Sequence, residues 1–286
     1  MCGINGIYQH QLISNSNNRV KEMNKANFFR GPDHSGIYQD EEIILGHNRL
    51  SIIDLDQKAN QPFVSNDKNI VLVYNGELYN YMDLKKELNE YDYKTTSDTE
   101  VVIAAFEKWG IKMLNRFNGM FAFALWDKKN KELYLCRDRL GIKPLYYAER
   151  KEAICFSSSI KSIIENIDQK WTISLASLDN YLSYGTVHSP STIVDQIKML
   201  PKGNYLRINN SEFVTKEYWT PFNVKANVNL NYDQILKKTK DLIQESVRKR
   251  LISDVPFGLF LSGGIDSSVL VAAASKQSSK AINTFS

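Results

Sequence analysis

The sequence predicts an α+β protein whose sheets are antiparallel in its N-terminal part, followed by the beginning of a parallel α/β nucleotide-binding unit. Three observations carry this. Short apolar strands alternate with helical segments through the first half of the chain. Residues 120–126 and 132–137 read as strands joined only by Asp127-Lys128-Lys129-Asn130-Lys131, the pattern of a β-hairpin. Near the end, the apolar run 255–261 enters Ser262-Gly263-Gly264 and then a helix-forming stretch.

The elements follow in order. Residues 43–50 and 70–74 read as strands, the second a continuous apolar run that predicts burial on both faces. Tyr81, Leu84 and Leu88 fall on one helix face within 79–88. Ser97-Asp98-Thr99-Glu100 is a capping-box sequence ahead of Val101, Val102, Ala105 and Phe106, with Gly110 placed to end that helix. Residues 144–148 and 153–157 read as two further strands. Residues 168–218 are less regular, with a short strand at 204–208 after Leu200-Pro201-Lys202-Gly203. The Asn-rich stretch 220–231, with Pro221, is the linker candidate. A helix is expected over 232–252, then a buried strand at 255–261. The domain limits are accordingly set at 2–218 and 232–286.

Hydrophobic residues make up 43% and charged residues 24%, which excludes a disordered chain. The formal charge of +4 comes from 36 basic and 32 acidic residues scattered along the sequence, so no nucleic-acid partner is expected. Arg248-Lys249-Arg250 reads as the solvated end of a helix. No run approaches the roughly 18 apolar residues that span a membrane, and Met1-Cys2-Gly3-Ile4-Asn5 does not begin a signal peptide. The three cysteines, Cys2, Cys136 and Cys155, form no C-x-x-C pair, which argues against disulfides and a structural zinc site. A cytoplasmic protein with reduced thiols and no bound metal is expected.

Cys2 carries the first chemical signal. A cysteine is often a small core residue, but removal of Met1 would place a thiol and a free α-amine on one residue. An α-amine titrates at roughly 7.7 to 8.0 and a thiol at about 8.5, so the amine can take the thiol proton near neutrality. Amide hydrolysis by such a thiol needs a cation for the substrate carboxylate, an anion for its amine, and donors for the tetrahedral oxygen. Arg49, at the end of a strand, can grip a carboxylate with two parallel hydrogen bonds, or be an ordinary surface arginine. Asp98 can meet an amine, or simply place negative charge at a helix start. Asn75-Gly76 is the strongest short hairpin signal. Yet the residues after it move toward helix periodicity, and an Asn amide with a Gly N–H leaving a strand can form an oxyanion hole.

Met1-Cys2-Gly3-Ile4, Arg30-Gly31-Pro32-Asp33, His47-Asn48-Arg49-Leu50-Ser51-Ile52, Tyr74-Asn75-Gly76-Glu77-Leu78-Tyr79-Asn80, Ser97-Asp98-Thr99-Glu100 and Arg137-Asp138-Arg139-Leu140-Gly141-Ile142-Lys143-Pro144-Leu145 together resemble glutamine-hydrolysing asparagine synthetase of the bacterial type. The matches are collinear and cover essentially the whole chain. The resemblance implies an N-terminal-nucleophile amidohydrolase fold, a four-layer αββα sandwich. It implies that Cys2 attacks the glutamine amide, with Asn75 and Gly76 as the oxyanion hole. Arg49 would bind the glutamine carboxylate and Leu50, Ser51, Ile52 and Ile53 would line the site. Glu77 and Asp98 would meet the α-amine. Where many relatives carry a glutamate, this chain has Ser159, which puts coupling between two active sites in doubt.

Leu261-Ser262-Gly263-Gly264-Ile265-Asp266-Ser267-Ser268 sits between a strand and a helix. Consecutive glycines let backbone N–H groups turn inward, and a helix start adds partial positive charge. The spacing is similar to the pyrophosphate loop of ATP pyrophosphatases. By that resemblance Leu261 touches the nucleotide, and Ser262, Gly263, Gly264, Ile265, Asp266, Ser267 and Ser268 hold pyrophosphate with Mg2+. ATP with Mg2+ is expected as co-substrate and no prosthetic group.

The reading is a glutamine-dependent asparagine synthetase with glutamine, aspartate and ATP as substrates. Ammonia from Cys2 would pass through a shielded passage to an aspartyl-adenylate, with AMP and pyrophosphate released. An amidotransferase acting on another carboxylate, a stand-alone glutaminase with a vestigial C-terminal segment, and a non-catalytic module are the alternatives. Residues 282–286 read as the start of a second strand. A fragment, truncation or piece of a split protein is therefore expected, one that needs a further synthetase region in cis or trans. Homodimerisation stays open.

Overall fold

Strands buried on both faces organise the first part of the molecule. Every side chain from Ile43 to Arg49 is buried, as the apolar and small residues there require. The computed structural model describes residues 1–9, 15–150, 153–209, 212–223, 229–278 and 281–286. They divide into two units, Met1–Ser51 with Asp56–Pro221, and Ile52–Leu55 with Phe222–Ser286.

In chain order the first unit contains β1 (Gly3–Gln9), α1 (Ser16–Ala26), β2 (His34–Gln39), β3 (Ile43–Arg49), β4 (Phe63–Val64), β5 (Ile70–Leu78), α2 (Tyr81–Glu87), α3 (Asp98–Trp109), β6 (Gly119–Asp127), β7 (Glu132–Arg137), β8 (Tyr146–Arg150), β9 (Ala153–Ser157), α4 (Ile160–Asn166), α5 (Leu175–Tyr184), β10 (Lys198–Met199), β11 (Asn204–Asn209) and β12 (Glu212–Glu217). The strands form two six-stranded sheets in the orders β10-β8-β9-β1-β3-β2 and β12-β11-β7-β6-β5-β4. Every pairing within them is antiparallel.

Alternation along each strand builds two apolar layers. Ile4, Tyr8, Ile43 and Leu45 of the first sheet meet Val71, Val73, Ala122, Ala124 and Leu135 of the second. The outward residues Ile7, Ile44 and Cys155 pack with Val20 and Met23 of α1 and Ile163 of α4. Helix α3 covers β5 from the far side of the second sheet. The result is the αββα sandwich that the resemblance implied.

The hairpin of β6 and β7 forms as the sequence predicts, with Asp127 opposite Glu132. Helix α3 starts at Ser97, whose hydroxyl accepts the Thr99 N–H at 3.2 Å. Glu100 turns its carboxylate to the N–H groups of Lys94 and Thr95. Three expectations need correction. The strand at 70–74 continues to Leu78, so Asn75-Gly76 is no turn; Asn75 lies opposite Ala122 and Gly76 opposite Phe121. Glycine is needed there for close approach, since a Cβ would stand 2.6 Å from the Met120 carbonyl oxygen and 2.7 Å from Tyr74 Cζ. Residues 168–218 are more regular than expected, holding α5 and the antiparallel pair β11–β12.

The third correction concerns the second unit. It contains α6 (Tyr232–Arg250), β13 (Gly258–Phe260), α7 (Ile265–Ser275) and β14 (Asn283–Phe285). Asn231 and Gln234 form a complete capping box at the start of α6. Strands β13 and β14 pair in parallel, Leu259 opposite Thr284. Leu259 packs with Val247, Ala273 and Ala274, but its neighbour Phe260 on the opposite face is 85% exposed. The apolar run 255–261 is thus a short strand covered on one face, not a buried one. Part of the linker candidate, residues 224–228, lies outside the described residues.

Phe156 is fully buried between the sheets, its ring against Gly6. Replacing it with alanine should cost about 3 to 5 kcal/mol of unfolding free energy in urea titration. A loss near zero would show that the inter-sheet layer is not packed around this ring.

Candidate active site

The same alternation that builds the core aims polar side chains into one end of it. Ile43 and Leu45 face the second sheet, so His47 and Arg49 on β3 do too. Val71 and Val73 face the first sheet, so Asn75 on β5 does as well. Cys2 precedes Ile4 by two residues and keeps that inward direction. Its sulfur lies against the end of β3, accepting the Leu50 N–H at 3.4 Å and approaching the Leu50 carbonyl at 3.7 Å.

Asn75 is 1% exposed, and its Nδ2 has no hydrogen-bond partner among the described residues. A buried amide donor left unpaired is unfavourable unless something is to accept from it. Along the outer edge of β5, the Tyr74 N–H donates to Gln61 Oε1 at 2.6 Å and the Leu78 N–H to Asp98 Oδ2 at 2.8 Å. Alternation turns the Gly76 N–H to this same edge, between those two bonds.

Asp98 opens α3 but does more than charge a helix end. It is 5% exposed, and its Oδ2 also accepts the Tyr74 hydroxyl at 3.0 Å. Burial pushes its carboxyl up to about 6, against the pull of the Leu78 N–H and the Tyr74 hydroxyl. Burial likewise raises the Cys2 thiol, opposed by the Leu50 N–H and nearby positive charge. The thiol therefore needs a base to become nucleophilic.

Arg49 is 5% exposed and is not the ordinary surface arginine that its sequence context also allowed. Its Nη1 donates to the Asp56 carbonyl at 2.9 Å and to Asn60 Oδ1 at 2.7 Å, fixing the guanidinium on the loop after β3. Asp33 closes the adjoining corner by accepting the Ser51 N–H at 2.8 Å. Gly31 lets that segment pass β3, where a Cβ would stand 2.4 Å from the Asn48 carbonyl oxygen. Leu50 thus sits beside Cys2 and Ser51 is held by Asp33, whereas Ile52 and Ile53 fall in the second unit. Glu77 follows Gly76 on β5, half-buried, and its charge is felt by Tyr74 and Lys143.

Several residues of this site have no role that the sequence alone assigns. His47 Nε2 meets the Tyr74 carbonyl at 3.1 Å, a bond that ties the two sheets. Burial pulls its imidazole down to about 3, so the neutral ring donates this bond. Arg30 Nε donates to the Cys2 carbonyl at 3.0 Å. Gln61 and Lys143 join them. His47, Arg30 and Lys143 lie inside the motifs that carry the family resemblance, which is the signal that could have singled them out.

In the second unit, the loop after β13 is exposed and glycine-shaped. Gly263 has φ +80°, and a Cβ on Gly264 would meet only Ser262 Oγ, at 3.8 Å. Gly264 is the N-cap of α7 and uses no side chain there. Ser267 and Ser268 turn their hydroxyls back to the Gly264 carbonyl at 3.1 and 2.8 Å, and Ser262 Oγ lies 3.2 Å from Ser267 Oγ. Leu261 donates its N–H to the Phe285 carbonyl at 2.7 Å, and Ile265 and Asp266 form the exposed first turn of α7. Backbone N–H groups at such a helix start suit an anion. Among the described residues, no cluster of His, Cys, Asp and Glu is placed to hold a metal ion.

A thiol, an unpaired amide donor, a buried cation and a buried carboxylate at one end of an αββα sandwich are the groups that amide hydrolysis by a thiol needs. The glutamine amidotransferase domain family matches residues 1–219, and the asparagine synthase family matches residues 238–286. The chain belongs to the glutamine amidotransferase domain family. It is 36% identical to asparagine synthetase [glutamine-hydrolyzing] 1 of Bacillus subtilis, over 100% of this chain and 45% of that protein. It is 32% identical to asparagine synthetase B [glutamine-hydrolyzing] of Escherichia coli, over 99% of this chain and 46% of that protein. The chain thus spans about half the length of these curated relatives. Among solved structures, glutamine phosphoribosylpyrophosphate amidotransferase from B. subtilis shares the fold. The TM-score is 0.58 at 17% identity, covering 99% of this chain and 65% of that one.

The raised Asp98 value sets a pH prediction. Between the ordinary carboxylate value of about 4 and about 6, the folded chain holds this proton more tightly than the unfolded chain. Asp98 therefore favours folding at low pH, and that contribution fades as pH rises through the window. Asp98→Asn should be at least as stable as wild type at neutral pH and lose this part of the pH dependence. Urea titrations across the window check it; a marked loss of stability at neutral pH would contradict the assignment.

Proposed function

We propose that this chain hydrolyses glutamine at Cys2, supplying ammonia for ATP-dependent amidation of aspartate. The observation that carries the reading is the unpaired Asn75 amide facing the same inter-sheet space as Cys2 and Arg49. Residues 2–218 are the glutaminase domain in this reading, and residues 232–286 are the beginning of the synthetase domain.

Removal of Met1 would give Cys2 its own α-amine. That amine takes the thiol proton, and the thiolate attacks the side-chain carbonyl carbon of glutamine. The developing oxyanion accepts from Asn75 Nδ2 and the Gly76 N–H. Collapse returns the proton to the leaving nitrogen, releases ammonia and leaves a γ-glutamyl thioester. Water then attacks the thioester carbonyl with the amine again as base, giving glutamate and the free thiol. Arg49 holds the glutamine carboxylate; Asp98 and Glu77 meet its amine, with Leu50 and Ser51 beside it.

In the second unit, Leu261 through Ser268 would hold the phosphates of ATP with Mg2+. Attack of the aspartate carboxylate on the α-phosphate would release pyrophosphate, and ammonia would displace AMP from the aspartyl-adenylate. What supports this is the exposed Gly263-Gly264 turn at a helix start together with the similarity to curated asparagine synthetases. The adenylation step would call on a longer synthetase region than residues 232–286 supply. Three free thiols and no described helix long and apolar enough to cross a membrane accord with a cytoplasmic setting.

Glutamate release from glutamine is the test. Cys2→Ala should abolish it, and Asn75→Ala should lower kcat about 100- to 1000-fold with a smaller change in KM. Wild-type turnover by the Cys2 variant would end the proposal. A fall confined to KM in the Asn75 variant would move that side chain from oxyanion to substrate binding.

A further inference from the structure

A nucleophile at the start of a chain has to be tied down, because terminal residues fray unless something holds them. Cys2 lies outside β1, whose first ladder pair joins Gly3 to Asn48. A side chain holds its carbonyl instead: Arg30 Nε donates to it at 3.0 Å. After removal of Met1, that bond would fix the main chain of the residue that carries both the thiol and the amine.

Arg30 ends the single 3-10 turn Phe28–Arg30, and Asn27 caps its start. The Arg30 N–H donates to the Asn27 carbonyl at 2.9 Å, and the Gly31 N–H to that of Phe28 at 3.1 Å. The turn packs directly on the start of β1, where a Cβ on Gly3 would stand 3.1 Å from Asn27 Cβ and 3.6 Å from Arg30 Cβ. Alternation turns Gly3 and Asn5 to the face of the first sheet that α1 covers. Asn27 fastens the turn to that face with its side chain. Its Nδ2 donates to Asn5 Oδ1 at 2.7 Å and to Ser157 Oγ at 3.1 Å.

Those two acceptors are themselves fixed. Ser157 on β9 lies opposite Asn5 in the β1–β9 ladder, and its hydroxyl donates to Asn5 Oδ1 at 2.7 Å. Asn5 Nδ2 donates to Asn24 Oδ1 at 2.9 Å, and Asn24 Nδ2 to the Ser35 hydroxyl and the Gly36 carbonyl, both at 3.1 Å. Asn5, Asn24, Asn27 and Ser157 are at most 3% exposed, so water does not compete for these bonds. Two buried atoms of the turn have no partner among the described residues, Asn27 Oδ1 and Arg30 Nη2. Leaving them unpaired is unfavourable, and a connection from α1 to β2 does not call for it. What the arrangement does fix is the place of Arg30 against the start of β1, and with it the hold on the Cys2 carbonyl.

We propose that Asn27 is a positioning residue for the nucleophile: by fastening the Phe28–Arg30 turn to Asn5 and Ser157, it holds the Arg30 guanidinium on the Cys2 carbonyl. The proposal rests on Cys2 being the nucleophile. The effect of Asn27 passes through Arg30. A terminal cysteine with a fixed main chain keeps its amine and thiol in the geometry that attack requires, and small displacements cost rate.

The test is a double-mutant cycle on glutamate release, in chain lacking Met1, with Asn27→Ala, Arg30→Met and the two combined. Each single change should lower kcat about ten- to hundredfold with little change in KM, because each frees the Cys2 main chain. The double variant should be no slower than Arg30→Met alone, since Asn27 then has nothing left to position. Losses that multiply in the double variant would overturn the proposal, and so would an unchanged kcat in either single variant. A role confined to stability would show as that second outcome, with a lower urea midpoint for Asn27→Ala. Should Asn27→Ala fail to fold, Ser157→Ala removes one of the two acceptors of its amide. It should give a smaller loss of kcat, and its cycle with Arg30→Met decides on the same terms. Failure of the nucleophile reading is separate, because it would show as glutamate release by Cys2→Ala.

Discussion

Alternation along paired strands is the constraint on which the rest of the structure depends. In the first unit, two antiparallel sheets bury both faces, so each strand sends every second side chain into the space between them. A shift of one residue in β1, β3 or β5 would turn Cys2, Arg49 or Asn75 toward the helices instead. The apolar core fixes that register, because Ile4, Leu45 and Val73 occupy the same parity as those polar residues. The packing that makes the fold stable therefore also assembles the site.

Burial gives the site its electrostatic character. Taking Asp98 and the Cys2 thiol out of water raises both, which keeps the thiol protonated until a base or a neighbouring cation intervenes. His47 shows the opposite adaptation. Burial keeps its ring neutral, so it can tie β3 to the Tyr74 carbonyl without adding a charge beside Arg49. The unpaired Asn75 amide is a local cost tolerated within the buried interior.

Much of this is legible in the sequence, and the failures have physical causes. The β6–β7 hairpin and the α3 start are written in local turn and capping chemistry, which depends on few residues. Cys2, Arg49, Asn75, Gly76 and Asp98 each allow a structural reading alone, and only the family resemblance of the motifs that hold them points to one chemistry. Asn75-Gly76 misleads as a turn because its glycine answers to crowding from Met120 and Phe121, which are distant in sequence. The run 255–261 misleads because apolar composition signals burial without saying which faces are covered; here Leu259 is packed and Phe260 is not.

The central claim is that a terminal cysteine performs the chemistry, and its most direct test is covalent. The purified chain would be treated with a glutamine analogue bearing an electrophile at the γ-carbonyl, then characterised by intact mass and peptide mapping. The account predicts a mass lacking Met1, one adduct per chain, and that adduct on Cys2, with excess glutamine slowing its formation. An adduct on Cys136 or Cys155, or labelling of Cys2 with Met1 still attached, would contradict it.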